Sequence, residues 1–240
     1  MPSAASFGSA PPGWRFFCRS NQARNCSFTL SATRVLRNYE RVPDKTFWRL
    51  LPVAGMIVLM WLATAVDLLL LGGAWLRDGV RPHDPTGFWP NLLFAPFLHV
   101  GLPHLVANSV PFLVLGGLIA LQSPWRFAAV TLAGALGAAL VAWVVGPFGS
   151  VHVGASGLVF AYFAWLIVRA IRERSLVAIL LGLFALALYG GILWGLSPFQ
   201  TAVSWQGHFG GAVAGVVAGL MWPTPLRTTL PSARPARYLA

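Results

Sequence analysis

The chain has 240 residues, of which 57% are hydrophobic and 10% are charged, and its formal net charge is +11. Soluble globular domains contain about 25% charged residues, so this composition excludes an ordinary soluble protein and favours a polytopic membrane protein. The alternation of apolar and polar residues that a membrane β-barrel requires is absent.

The first 46 residues differ from the rest of the chain. They are rich in Ser, Ala, Asn and Arg and contain no acidic residue before Glu40. This composition predicts a basic, disordered cytoplasmic tail, and an organellar transit peptide is the alternative. Both cysteines, Cys18 and Cys26, lie in this segment with no histidine nearby, which predicts neither a structural disulfide nor a zinc site.

Six apolar runs follow this segment. A helix needs about 20 apolar residues to cross a bilayer core about 30 Å thick. The runs therefore predict an all-α, six-helix membrane domain over residues 47–222, with five or seven spans as alternatives, and a short basic cytoplasmic tail over residues 223–240. The runs lie at about 50–76, 92–122, 127–148, 155–170, 176–195 and 204–222.

The distribution of basic residues predicts the orientation. With six spans, fifteen of the 17 Lys and Arg residues fall on one side, and Arg77 and Arg81 fall on the other. The positive-inside rule then places both termini in the cytoplasm. The net charge is thus explained by topology rather than by nucleic-acid binding. We expect a multi-pass protein of the cell membrane, with an organellar inner membrane as the alternative.

Ser156 and His208 lie in the fourth and sixth apolar runs, where polar groups are costly. A serine hydroxyl becomes a nucleophile when a base such as histidine lies within hydrogen-bond reach. Ser156 stands thirteen residues before Arg169, and His208 fifteen before Pro223. At about 1.5 Å per residue these intervals are ~20 Å and ~22 Å. The two side chains are therefore predicted to lie at a similar depth.

Small residues predict close packing of the two helices that carry this pair. Gly157 follows Ser156, while Gly211, Gly215 and Gly219 form a small-xxx-small stripe after His208. Such stripes allow membrane helices to approach backbone to backbone. Phe160 lies one turn after Ser156, where its ring would pack either against the imidazole or in the ordinary core.

A third polar cluster lies in the second run. His104 and Asn108 are four residues apart and share one helix face. Their donors, with the backbone N–H of Ser156, could stabilise a developing oxyanion. A metal site of His99, His104 and His208 is the rival interpretation. Asp67 is the only acid within a span and no HExxH pattern occurs, so a metal is not expected.

Three motifs in chain order carry a family resemblance. Together they resemble the signatures of the rhomboid intramembrane serine proteases, and the resemblance covers about residues 50–222. The motifs are His104-Leu105-x-x-Asn108, Gly154-Ala155-Ser156-Gly157 and His208-x-x-Gly211-x-x-x-Gly215.

The resemblance implies a role for each residue. Ser156 would be the nucleophile and His208 the general base, while His104, Asn108 and Gly154 would form the oxyanion hole. It further implies cleavage of transmembrane helices of other proteins near their outer ends, with no cofactor. His99 would then be structural.

Some positions depart from the family pattern, which often has Trp-Arg in the first loop and tyrosine one turn after the serine. Here Trp89-Pro90-Asn91 and Phe160 stand at those places. His152 lies outside the signatures, and we predict an exposed loop histidine there.

Two other classes of function compete with a protease. One is a catalytically inactive rhomboid-like adaptor that binds transmembrane helices, but such proteins usually lack the serine or the histidine. The other is a transporter, which usually places charged residues near the midplane. The presence of both Ser156 and His208, without a central acid, favours the protease, whose partners would be transmembrane substrates and the lipid bilayer.

Overall fold

A computed structural model describes residues 45–86, 88–200 and 203–223. The two tails predicted from the sequence lie almost entirely outside these ranges. Within them the chain is helical, without a β-strand, as predicted, and an isolated antiparallel bridge joins Val80 and His152.

The described ranges contain seven α-helices, joined by short loops and by 3₁₀ segments at Ala74–Asp78, Ala95–Phe97 and Gly190–Leu196. The third helix contains a π-helical turn at Phe112–Gly116, directly after Pro111, whose ring removes a backbone donor. The helices are α1 (Lys45–Leu70), α2 (Phe88–Phe94), α3 (Gly101–Gln122), α4 (Pro124–Val145), α5 (Ser156–Glu173), α6 (Leu176–Tyr189) and α7 (Trp205–Met221).

Serine caps fix where three of these helices begin. Ser123, Ser175 and Ser204 precede α4, α6 and α7, and each hydroxyl oxygen accepts a hydrogen bond from a backbone N–H in the first turn. An N-cap of this kind stabilises a helix by about 1 kcal/mol. The cap of α7 is important for the site because it lies four residues before His208.

In the part of the chain that the structure describes, four helical segments are long and apolar enough to cross a membrane: Thr46–Leu70, Gly101–Gln122, Pro124–Val145 and Leu176–Leu196. Helix α5 has three charged residues near its end, and α7 is only 17 residues long. These two helices are the ones that carry Ser156 and His208. Six spans with cytoplasmic termini therefore stay a prediction.

The second apolar run, 92–122, was predicted as one span, but in the structure it is divided into separate helical segments. The chain leaves helical geometry at residues 98–100, and α3 begins only at Gly101, which has a φ of +79°. Glycine adopts this left-handed conformation without steric cost, and Pro103 lies in the first turn of α3, where its missing N–H would have no helical acceptor. The break places His99 in a loop beside the start of α5.

Helix α5 lies at the centre and packs against α4, α6 and α7. Its Tyr162 contacts the rings of Phe112 and Phe127, and the Tyr162 hydroxyl lies 2.7 Å from the Thr131 hydroxyl. Large apolar side chains of α1 and α6, such as Leu69, face outward, as suits contact with lipid. Since α5 is held on several sides, its first residue, Ser156, has a fixed position.

Asp67 organises the turn at the end of α1. Its carboxylate accepts a hydrogen bond from the Trp75 N–H at 2.9 Å, and its backbone carbonyl accepts from Leu71 and Gly73. Asp67 thus closes the turn that follows α1.

Candidate active site

Ser156 and His208 meet where α5 and α7 begin. The His208 Nε2 lies 2.8 Å from the Ser156 Oγ, and the His208 Nδ1 lies 2.8 Å from the Gly195 carbonyl oxygen. A carbonyl only accepts hydrogen bonds, so the proton resides on Nδ1. Nε2 is then free to accept the serine proton, as a general base requires.

The imidazole of His208 is held on one face by Phe160 and at the Nδ1 edge by Gly195. The Phe160 ring stacks on it with centroids 4.4 Å apart and an interplanar angle of 14°. On the Gly195 side, a Cβ added to that glycine would lie 2.9 Å from Nδ1, so only glycine fits. Of the two roles open to Phe160, packing against the imidazole is therefore the one observed.

Gly154 allows His104 and Asn108 to approach the loop before Ser156. Its φ is +105°, and an added Cβ would lie 2.7 Å from His104 Cε1 and 3.2 Å from Asn108 Nδ2. A side chain here would be both strained and obstructed. The glycine is thus required by the backbone and by the space around it.

Asn108 presents a donor without an acceptor. The residue is 5% exposed, and its Nδ2 has no hydrogen-bond partner among the described residues. An unsatisfied buried donor costs about 1–3 kcal/mol. An amide kept in this state beside the serine loop is suited to bind an oxygen that arrives with a ligand.

The His99 side chain binds the backbone of the loop that precedes Ser156. Its Nδ1 lies 3.3 Å from the Phe97 carbonyl oxygen, and its Nε2 accepts a hydrogen bond from the Ala155 N–H at 3.4 Å. The Ala155 N–H is therefore occupied, whereas the first N–H groups of α5 have no acceptor within the helix.

The rival metal site receives no support from this arrangement. Both ring nitrogens of His208 are engaged, with Ser156 and Gly195. Within the described ranges, no group of three or more His, Cys, Asp or Glu side chains could hold a metal ion.

Glycines bring α7 onto α5. An added Cβ at Gly211 would lie 2.8 Å from the Gly157 carbonyl carbon, and one at Gly215 would lie 2.8 Å from the Ala161 carbonyl carbon. Gly157 in turn faces the Ala138 methyl group of α4, which an added Cβ would approach to 2.5 Å. These contacts are backbone to backbone, as the small-xxx-small stripe predicts.

Helix α7 also packs closely against α4, which was not predicted from the sequence. An added Cβ at Gly210 would lie 2.8 Å from the Gly137 carbonyl carbon of α4. The paired glycines Gly210 and Gly211 thus face two different helices. The sequence does contain a signal for this contact, because Gly210 precedes Gly211 and the third apolar run contains Gly137. These glycines could have indicated that α7 packs against α4.

The prediction of an exposed loop histidine at 152 is wrong. His152 is half-buried, with Nδ1 2.6 Å from the Ser204 Oγ and Nε2 3.1 Å from the Ser150 Oγ. The cause is the bridge to Val80, in which each residue donates its N–H to the other's carbonyl at 2.9 Å. The bridge holds the loop that follows α1 against His152, and the histidine is therefore half-buried.

A cavity of about 40 Å³ lies beside Ser156. Its wall is mostly apolar, and α4 contributes Ala135, Ala138, Ala139 and Ala142. A space of this size can hold water or a small side chain. The cavity therefore offers room for a small group next to the serine hydroxyl.

The model of the Rhomboid domain family matches residues 86–224, which include Ser156 and His208 and the residues around them, His104, Asn108 and Gly154. An uncharacterized protein of Mycobacterium tuberculosis is 40% identical over 183 residues, 71% of this chain and 74% of the relative. Rhomboid-like protein 11, chloroplastic, of Arabidopsis thaliana is 32% identical over 60% of this chain and 55% of its own length. A candidate rhomboid protease of Bacillus subtilis is 30% identical over 55% of this chain and 70% of its own length.

Proposed function

The chain belongs to the rhomboid family, and from that premise we propose that it is an intramembrane serine endopeptidase with a Ser156–His208 dyad. The observation that carries the proposal is the 2.8 Å contact between His208 Nε2 and Ser156 Oγ. It supplies the nucleophile and base that acyl transfer requires.

In the acylation step, the Ser156 Oγ attacks a substrate carbonyl carbon while His208 Nε2 takes the hydroxyl proton. The Gly195 carbonyl, which accepts from Nδ1, then stabilises the imidazolium. This carbonyl stands where many serine proteases have a carboxylate. A dyad without an acid is therefore chemically sufficient.

The negative oxygen that develops on the substrate carbonyl needs donors. Asn108 Nδ2 is buried and unpaired among the described residues, and the N–H of Ser156 lies at the positive end of the α5 dipole. His104, which packs against Gly154, lines the same space. His208 then gives this proton to the nitrogen of the peptide leaving group, which departs and leaves the acyl-enzyme. A water molecule attacks the acyl carbonyl carbon while His208 Nε2 takes a proton from it, and His208 returns that proton to the Ser156 Oγ as the acid product leaves.

With the six spans and cytoplasmic termini predicted from the sequence, this chemistry would lie near the outer face of the cell membrane. Ser156 and His208 lie in the first turns of their helices, whereas Arg169 and Arg172 lie near the other end of α5 and contact the end of α7. With cytoplasmic termini, the dyad lies toward the outer ends of both helices. The proposed substrates are accordingly transmembrane helices of other proteins, cut near those ends.

Cleavage in proteoliposomes tests this proposal. The purified protein is reconstituted with single-span helices that carry small residues near one end, and products are mapped by mass spectrometry. We expect cuts near that end with the wild type and none with Ser156→Ala. The inactive-adaptor alternative predicts instead that wild-type protein binds these helices without producing fragments.

A prediction follows for the oxyanion donor. Asn108→Asp keeps the side-chain shape but removes the NH₂ group, so kcat should fall by about 10²–10³. The matched control is Gln122→Glu, the same amide-to-acid change at the far end of α3, which should leave kcat within about threefold. An unchanged kcat in folded Asn108→Asp would remove Asn108 from the mechanism.

A further inference from the structure

His152 and Ser204 connect the two segments that carry the dyad. His152 lies four residues before Ser156, in the loop that leads into α5, and Ser204 is the N-cap of α7. The His152 Nδ1 and the Ser204 Oγ are 2.6 Å apart. This contact is separate from the contact between Ser156 and His208, and the mechanism above does not use it.

The partners of His152 define which ring nitrogen carries the proton. The Ser150 hydroxyl donates to the Pro147 carbonyl oxygen at 2.7 Å, so its oxygen can accept from His152 Nε2–H. The other ring nitrogen, Nδ1, then accepts from the Ser204 O–H. The ring is therefore the neutral Nε2–H tautomer with both nitrogens satisfied.

Burial is consistent with the neutral ring. It lowers the pKa of the His152 imidazole below its usual value, because desolvation disfavours the charged form. The imidazole is accordingly neutral at pH 7, as the Ser204 contact requires.

Ser204, which contacts His152, also forms two hydrogen bonds with the first turn of α7. Its Oγ accepts from the Gly207 N–H at 3.2 Å, and its carbonyl oxygen accepts from the His208 N–H at 3.0 Å. Because the hydroxyl donates to His152 while it accepts from Gly207, its rotamer is fixed. The backbone of His208 is thus connected to the serine loop through one side chain.

We propose that His152 is a positioning residue of the dyad, which holds Ser204 and so fixes the first turn of α7 relative to the loop before Ser156. The inference rests on the proposed protease function. His152 touches neither the nucleophile nor the base, so it acts on the reaction only through the placement of His208.

The test compares five variants in the full chain, with a fluorophosphonate serine-hydrolase probe and with a cleaved transmembrane substrate. His152→Ala and Ser204→Ala should each lower the probe reaction rate about 10-fold to 100-fold, since sub-ångström misplacement of a base is costly. The double variant should react no more slowly than the slower single variant, because both changes break one contact. KM for the substrate should stay unchanged while kcat falls.

A conservative substitution of His152 distinguishes a positioning role from a packing role. The Oδ1 of His152→Asn can accept from the Ser204 hydroxyl near the place of Nδ1, so this variant should recover most of the wild-type rate. His83→Asn is the matched control, because the His83 ring contacts the Gly146 carbonyl at the end of α4 and takes no part in the Ser204 contact. It should react at the wild-type rate.

A second readout does not depend on catalysis. Hydrogen exchange of the Gly207 and His208 amides should be faster in His152→Ala and return toward wild type in His152→Asn. Wild-type rate and exchange in His152→Ala, or a folded His152→Asn as slow as His152→Ala, would overturn the inference. If the wild type fails to react with the probe at all, the proposed function fails, and amide exchange alone decides whether His152 holds α7.

Discussion

His208→Ala is expected to abolish substrate cleavage in a protein that remains folded. His208 Nε2 is the base 2.8 Å from the Ser156 Oγ, and without it the serine hydroxyl stays protonated and weakly nucleophilic. In serine proteases, removal of this base lowers kcat by about 10⁶. The measurement is kcat in proteoliposomes, with circular dichroism as the check on folding.

The same prediction extends to a double-mutant cycle. Because the two side chains act as a unit, Ser156→Ala with His208→Ala should be no slower than either single variant. Ser197→Ala is the control, since Ser197 lies in the loop between α6 and α7 and its hydroxyl accepts a hydrogen bond from the Phe199 N–H. Losses that multiply in the double variant would mean that the two residues act in separate steps.

Gly211→Ala is expected to damage both stability and activity. The added Cβ would lie 2.8 Å from the Gly157 carbonyl carbon and 3.1 Å from its Cα, which is backbone that cannot rotate away. Overpacking of this kind typically costs about 1–3 kcal/mol. It would also move α7 away from α5, and a displacement of about 1 Å can lower kcat about 10²-fold. Thermal unfolding and kcat measure the two effects.

The control for this substitution is Gly55→Ala in α1. Among the described residues, a Cβ added there would meet no atom within 4 Å beyond the adjacent residues and backbone of α1 itself. In a helix interior, alanine is more favourable than glycine by about 1 kcal/mol. Gly55→Ala should therefore keep the wild-type kcat with equal or higher stability. A Gly211→Ala protein with wild-type stability and kcat would show that the close approach of α5 and α7 is dispensable.

Those parts of the architecture that depend on helix geometry could be predicted from the sequence. A constant rise per residue gives Ser156 and His208 a common depth, and glycine spacing indicates close helix packing. The all-helical fold was predicted from the composition and the apolar runs. The family was predicted from the resemblance of the three motifs to the rhomboid signatures. The break at residues 98–100 was missed because hydropathy does not detect the local backbone effects of Gly101 and Pro103.

The finer contacts of the site could not be derived from local pattern. Gly195 lies in a 3₁₀ segment, and its carbonyl meets His208 only because that segment folds back over α7. His152 was misassigned because its burial depends on Val80, which is 72 positions earlier in the chain. Long-range pairings of this kind leave no periodic signal in the sequence.

Mass spectrometry of the intact, folded protein after reaction with a fluorophosphonate tests the central claim most directly. The account predicts one adduct, on the peptide that contains Ser156, and no adduct in His208→Ala protein that retains the wild-type circular dichroism spectrum. A folded wild-type protein that forms no adduct, or forms one on another serine, would contradict it.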